Sequence, residues 1–549
     1  VKTAAVRALF GKLGLYARTV RYLRGDQIAN MVYRRAIAPT SKPHRASGAP
    51  RIRIPMTVEF PANGDTKMMD RLAFADRDTR PEGSFDWRTA EMWRPLRIQL
   101  HYFEYLGDPH RPLAWKRAIV SDWIANNPPD KGDGWMAYAA SLRMVNWIKF
   151  FTHLGPDDVD ERWLQSLYDH ALWLENNLEL HILANHYLKN AKALLFAGLF
   201  FSGPDAERWQ ELGLTTFLAQ SKEQFLADGG HYERSPMYHT ISLEDVLDVY
   251  HYLNAGARVE SASTLEVLRA HALAGLDFTS AMLLPDGTLP LFNDASQDVG
   301  PSSRELYDYA KVALGYEPPQ ALAGVSLRAL EASGYYVIRD ARNMLAIDCG
   351  PAGPVYQPGG ERVVVDTGVF EYENNASRRY SRSTAAHNTV QIDALEQSEM
   401  WDVFRVARRA VPIAPSLVLT GPGEATFTGA HDGFRRSSAK AIHHRTVRYA
   451  RGRWDFDDRI EGVGRHHVVS RVHLRPGLVA RELARVVYIS AQDDRPVAEL
   501  RPSPKSEITL ERLPVYPRFG TSEEGCAVVM SWSGNLPATM SYSIVPHAS

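Results

Sequence analysis

Cysteine is nearly missing: there are 2 in 549 residues, Cys349 and Cys526, too far apart for a metal-type spacing. Nothing in the sequence asks for a disulfide, so cysteine usage fixes no compartment. An excess of one charge is missing too. With 63 basic and 64 acidic residues the formal net charge is −1, and no global field selects for nucleic acid or a membrane surface. No apolar run approaches the roughly 18 residues of a spanning helix, and internal repeats and low-complexity segments are lacking. What remains is an ordinary globular composition, 45% apolar and 23% charged. The length favours two or three domains over one core. An acidic polymer held in a local basic cleft is compatible with this balance, whereas a nucleic-acid partner is not expected.

Three regions follow from the pattern. Residues 1–84 open with a basic stretch, Lys2, Arg7, Lys12, Arg18, Arg21, Arg24, Arg34 and Arg35 against Asp26, interleaved with Leu9, Phe10, Leu13, Tyr16 and Leu23. Lys12, Arg18 and Arg21 interrupt what would be the apolar core of a secretory signal. Either a signal has been removed, which suits a periplasmic protein, or the protein is not exported by that route and is cytoplasmic. Such a helix can touch a membrane surface or an anionic polymer; a solvated helix packed on its own domain is the plainer and preferred reading. Beyond it, Arg51-Ile52-Arg53-Ile54 and Thr57-Val58-Glu59-Phe60 suggest short strands in an extended arm.

Residues 85–330 read as helices, with apolar positions recurring at three and four, as in Leu142, Val145, Trp147, Ile148 and Phe150. Breakers such as Gly203-Pro204 and Gly229-Gly230 separate them, as in stacked antiparallel hairpins. Over 331–549 the period changes. Tyr335–Ile338, Met344–Ile347, Arg362–Val365, Thr389–Ile392, Thr446–Tyr449, Val468–Leu474 and Ser541–Val545 predict strands of an antiparallel β-sandwich. Helices first and strands second make a multidomain α+β chain, with a cleft expected between the two parts.

The chemistry-bearing residues concentrate in two runs. Asn185-His186-Tyr187-Leu188-Lys189-Asn190 sits in a helical apolar pattern. After one helical spacer, Asp228-Gly229-Gly230-His231-Tyr232-Glu233-Arg234-Ser235-Pro236-Met237-Tyr238-His239 forms a loop feeding another helix. A carbon acid beside a carboxylate needs a hydrogen-bond donor at that carboxylate, a base, and an acid for the leaving oxygen. Asn185 is a suitable donor because its amide does not become a rival base. Tyr238 is a suitable base if cations or donors, among them Arg234, His231, His239 or His186, lower its pKa from about 10. Lys189, one turn after Asn185, shares its face and is a candidate for substrate carboxylate. Glu233 and Arg234 read as an ion pair shaping the loop.

These runs, together with Asp366-Thr367-Gly368 and Tyr380-Ser381-Arg382-Ser383-Thr384-Ala385-Ala386-His387-Asn388-Thr389, resemble the heparinase II/III-like polysaccharide lyases from about residue 85 onward. The resemblance implies an incomplete (α/α) toroid followed by an antiparallel β-sandwich. It implies β-elimination on a uronate-containing polysaccharide, with Asn185 and His186 gripping the carboxylate and Tyr238 transferring protons. Glycoside hydrolysis, which needs paired cleft carboxylates such as Glu233, Asp286 or Asp294, and a non-catalytic glycan-binding or assembly role are the alternatives. Arg234, His239, Lys189, Trp135, Tyr380 and Arg382 are the candidate substrate contacts: arginine for bidentate carboxylate or sulfate binding, tryptophan and tyrosine for stacking on sugar rings.

Asp366 and His387 suggest two ligands of a structural divalent ion, for which zinc suits the donors. The family's His-x-His-Ala-Asp type segment before the aspartate strand is absent here: Val355-Tyr356-Gln357-Pro358-Gly359-Gly360-Glu361-Arg362 holds no histidine. A gap in the chain as given, a deletion, or substitution by His443, His444, His466 or His473 would each account for this.

Overall fold

Apolar residues spaced for one helical face and buried against neighbouring helices account for the first half of the molecule. In the computed structural model, which describes residues 12–36, 48–53, 58, 60, 85–88, 93–255, 262–319, 324–350, 356–358 and 362–547, the long helices are Leu113–Asn126, Ala137–Leu154, Glu161–Glu175, Ala184–Phe200, Pro204–Gln224, Pro236–Ala255, Ala262–Met282 and Ser303–Leu314. Their starts follow local chemistry. Asp160 caps its helix by accepting from Arg162 N, and Ser302 forms a capping box with Glu305. Helices Ala184–Phe200 and Pro204–Gln224 approach so closely that a Cβ on Gly198 would strike the backbone of Gln210, and one on Gly213 that of Leu195. The core holds Phe103, Trp123, Trp147, Phe151 and Trp209, all at most 1% exposed. Each such side chain contributes about 2–3 kcal/mol by leaving water. The helices form an incomplete (α/α) toroid, and an antiparallel β-sandwich follows.

Alternation of buried and open positions builds the sandwich. In Ile442–Ala450 the side chains of His443, Arg445, Val447 and Tyr449 turn inward, and their neighbours are less buried. That strand lies in an eight-stranded sheet whose order is Leu478–Leu483, Val486–Ala491, Pro496–Pro502, Ala538–Pro546, Arg453–Glu461, Ile442–Ala450, Glu424–His431, Pro412–Gly421. A four-stranded sheet (Glu507–Val515, Glu523–Asn535, Arg465–Leu474, Val390–Ile392) and another (Ser326–Leu330, Tyr335–Arg339, Met344–Asp348, Tyr356–Pro358) complete it.

Two sequence expectations need correction. Arg362–Val365 is apolar enough for a strand but forms only a single bridge, Val364 to Leu474; burial against the sandwich, not a ladder, explains its composition. The basic N-terminal segment does not pack on one domain of its own. Arg18 makes a two-pronged ion pair with Glu399 on the β side (Nη2–Oε1 2.7 Å), and Trp401 Nε1 donates to Thr19 Oγ1. Arg24 pairs with Glu223, and Arg34 donates to the carbonyls of Asn177 and Leu178 on the helical side. The segment therefore spans both halves. In the arm, Ile52 bridges to Phe201 and no longer strand forms among the described residues; of the second expected strand, at 57–60, Val58 and Phe60 are described and neither is in a strand, and the other two positions lie outside them.

Candidate active site

Asn185 and Tyr238 each stand in the first turn of a helix, Ala184–Phe200 and Pro236–Ala255. Unpaired N–H groups at those ends favour negative charge nearby. The sequence Ser235-Pro236 sets the second start: Ser235 Oγ accepts from Tyr238 N, and proline occupies the first helical position, where no N–H is needed. Leu183, Ala184 and Arg234 take left-handed backbone conformations (φ 64°, 53° and 54°) immediately before these two turns. Strain of this kind, about 1–3 kcal/mol each, persists where surrounding contacts over-determine it, as they do at functional sites.

A cleft of about 760 Å³ runs between the toroid and the sandwich. Asn185, His186, Lys189 and Tyr238 line it from the helical side, and Tyr372, Glu373, Phe404 and Phe519 from the β side. Asn185 is 4% exposed. Its Nδ2 donates to Glu233 Oε1 at 2.9 Å, its backbone N donates to the same oxygen, and its Oδ1 is buried without a partner among the described residues. Glu233 thus holds the asparagine and makes no ion pair with Arg234. Burial raises the Glu233 carboxyl above its ordinary value, and the bonds from Asn185 oppose this. His186 Nδ1 lies 3.2 Å from Glu179 Oε1, and its ring sits 4.4 Å from that of Tyr138.

The Tyr238 and Tyr372 hydroxyls share a hydrogen bond of 3.1 Å. Burial, then Glu233 and Asp294, push the Tyr238 phenol above its ordinary value; the bond from Tyr372 and the charge of Arg378 pull the other way. Arg378, 1% exposed, makes paired bonds to Asp294 (2.7 and 3.0 Å) and lies over the rings of Tyr372 and Phe404. Tyr372 and the role of Glu233 were missed in the sequence. Arg378 was expected, with Arg379, Tyr380 and Arg382, to bind acidic sugar units from the β side of the cleft; its guanidinium is instead held by Asp294.

Several expected contacts stand elsewhere. Arg234 turns its guanidinium to the carbonyls of Ser333, Ala332 and Tyr232, tying the loop to the sandwich. His239 bonds Gly275 O and Thr279 Oγ1 in the core, where burial lowers its pKa to about 4. Trp135 stacks on His170 at 4.3 Å and donates to Asn127 O; it is a core residue. Arg382 donates to the carbonyls of Asp402 and Arg405, bracing a small hairpin (Met400–Trp401, Arg405–Val406). Tyr380 packs its ring 6.2 Å from Tyr516. Lys189 does line the cleft, but its Nζ is bonded to Asp245 at 2.7 Å.

Asp366 and His387 meet as expected, Nδ1 to Oδ2 2.9 Å, yet the donor set does not fit a metal. Among the described residues no group of three His, Cys, Asp or Glu is arranged to hold an ion. Of the histidines considered as substitutes, His443 is engaged with Asp458 and His431, His444 with Glu461 and His466 with Asp393; His473 bonds Asn388 through Nδ1 and keeps a buried Nε2 with no partner among the described residues, one donor and not a set of three. Residues 359–361, beside the point where the family's histidine segment was expected, lie outside the described residues. The pair instead behaves as an internal ion pair: burial disfavours the charged imidazole, but Asp366 outweighs it and raises the His387 pKa.

Comparison with known proteins adds to this geometry. Residues 75–314 match the family model described as Heparinase II/III N-terminus, and 323–532 match Heparinase II/III-like, C-terminal. A heparin-sulfate lyase of Pedobacter heparinus is 25% identical over 239 residues, 38% of this chain and 36% of that protein. One of Bacteroides stercoris is 22% identical over 415 residues, 59% of each. The matches therefore span about a third and three fifths of these relatives' lengths. A crystal structure of heparinase III superposes with a TM-score of 0.66 at 15% identity, over 95% of this chain and 89% of that one. A heparan sulfate lyase mutant from Pedobacter heparinus gives 0.58 at 19%, over 95% and 88%. At these identities the structural likeness concerns the fold.

Proposed function

We infer the function from one premise: the chain belongs to the heparinase II/III-like family. It is a polysaccharide lyase that cleaves a uronate-containing glycan by β-elimination. The curated relatives are named heparin-sulfate lyases, which supports an acidic glycosaminoglycan-like substrate. The observation that carries the reading is the convergence of Asn185, His186 and Tyr238 on one cleft between toroid and sandwich.

The steps follow from these side chains. Asn185, fixed through Glu233, presents its second Nδ2 hydrogen to the uronate carboxylate and, with the helix N-terminus behind it, stabilises the charge that develops as the neighbouring carbon loses its proton. His186 braces that grip. Tyr238 takes the proton. Tyr372 donates to the phenolate as it forms, and Arg378 offsets its charge. The protonated phenol then returns the proton to the leaving glycosidic oxygen on the same face. Domains at 1–84, 85–330 and 331–549 are part of the same reading, with the acid–base residue on one half and its partner on the other.

The test is a panel of purified uronate polysaccharides followed by ultraviolet absorbance of the unsaturated product, with wild type and Tyr238→Phe. Absorbance that Tyr238→Phe abolishes supports elimination. New reducing ends without absorbance would replace it with hydrolysis.

A further inference from the structure

We propose that Glu179 is a positioning residue that sets the tautomer of His186, and that Arg34 of the N-terminal segment holds Glu179 in place; the proposal rests on the lyase reading above. Glu179 is 6% exposed and precedes the helix that carries Asn185 and His186. Each of its polar groups is committed to the start of that helix. Its carbonyl accepts from Ile182 N and Leu183 N, both at 2.9 Å. The second of these bonds holds Leu183 in the left-handed conformation noted above. Its backbone N donates to Asn190 Oδ1 at 2.7 Å. Its Oε2 accepts from Asn190 Nδ2 at 3.2 Å, and its Oε1 faces His186 Nδ1 at 3.2 Å. One residue thus ties the loop to the first two turns of the helix.

The chemical consequence lies at His186. A carboxylate only accepts, so the ring nitrogen that faces it carries a hydrogen. The tautomer is therefore set from behind, and Nε2 is left for the cleft that His186 lines. There it accepts from a sugar hydroxyl while the ring is neutral and donates to the uronate when the ring is charged. Asn190 makes this choice sensitive to a single atom. With its Oδ1 on Glu179 N, its Nδ2 must find an oxygen at position 179. In Glu179→Gln the amide oxygen goes to Asn190, and the amide NH2 turns to His186 Nδ1. The hydrogen of the ring then moves to Nε2.

Arg34 secures this loop from outside. Its Nη2 donates to Asn177 O at 2.6 Å and Leu178 O at 2.9 Å, the two carbonyls directly before Glu179. Gln27 Nε2, from the same segment, reaches Ile182 O at 3.3 Å on the other side. Burial disfavours the charge of Arg34, and Glu179 opposes this. The segment precedes residues 75–314, the stretch that matches the family's N-terminal model, so the likeness does not supply this clamp.

The experiment uses the full chain with histidine rings labelled with nitrogen-15. The His186 signals are assigned by their loss in His186→Gln, and kcat is read by absorbance on the uronate polysaccharides above. Wild type is expected to carry a hydrogen on Nδ1, and Glu179→Gln to carry it on Nε2. In that variant kcat should fall about tenfold or more with KM changed little. Arg34→Ala, remote from the cleft, should lower kcat by about threefold to tenfold and mix the two tautomers. If Glu179→Gln does not fold, the wild-type spectrum and Arg34→Ala carry the test. A bare Nδ1 in wild type, or an unmoved hydrogen and unchanged kcat in a folded Glu179→Gln, overturns the proposal; an Arg34→Ala protein identical to wild type overturns the part given to Arg34. The expected spectra without turnover on any uronate polymer would instead overturn the lyase reading and leave the tautomer assignment standing.

Discussion

Tyr238 from the toroid and Tyr372 from the sandwich meet hydroxyl to hydroxyl at 3.1 Å, so the proposed acid–base group of one half has its hydrogen-bond partner on the other. The Arg378–Asp294 pair spans the same boundary beside it. The electrostatic consequence is specific. Burial disfavours the Tyr238 phenolate, and the influences that oppose burial come from the β side, not from the histidines near Tyr238 in sequence.

Removing the Tyr372 hydroxyl should therefore slow chemistry more than binding. For Tyr372→Phe we expect kcat to fall by about tenfold to a hundredfold with KM changed little. Since the reactive form is the phenolate, loss of a donor raises the Tyr238 pKa further and moves the acid limb of the pH–kcat profile to higher pH. A profile superposable on wild type would detach Tyr372 from the proton transfer.

The buried charge network below the cleft makes a prediction for stability. Lys149 and Lys192 hold the Asp248 carboxyl well below the usual range, against the burial that would raise it. A depressed carboxylate contributes stability that is present above its unfolded pKa of about 4 and is lost as pH falls through the folded value. Lys192→Met should cost about 3 kcal/mol at neutral pH, by leaving Asp245 and Asp248 short of a cation. It should also flatten the fall of Tm with acid between about pH 4 and 2. Thermal unfolding across that range checks both; an unchanged neutral Tm would mean the network adds nothing net.

How much of this was legible beforehand depends on what spacing encodes. Asn185 and Tyr238 could be found because each sits at a helix start marked by local chemistry, an apolar run in one case and Gly-Gly followed by Ser-Pro in the other. His239 could not be assigned by proximity. Consecutive residues on a helix point about 100° apart, so when Tyr238 faces the cleft its neighbour faces Thr279 in the core. Arg234 and Arg382 looked available because sequence shows charge and not the backbone carbonyls that consume it.

The sharpest test of the carboxylate grip keeps the shape of the side chain and changes only its charge. Asn185→Asp places a second carboxyl where Nδ2 now donates to Glu233 Oε1 at 2.9 Å. Two carboxylates at that distance cannot both ionise, so they share a proton. The substrate carboxylate then faces an acceptor in place of a donor. We expect kcat to fall by at least about a hundredfold at neutral pH, the scale of losing one donor to a developing oxyanion, with a smaller change in KM because the rest of the cleft still holds the glycan. Asn185→Ala, which loses the donor without adding charge, should be the milder of the two. If Asn185→Asp turned over within a factor of about ten of wild type, the uronate would have to be held by some other group, and Asn185 would be a structural clasp for Glu233.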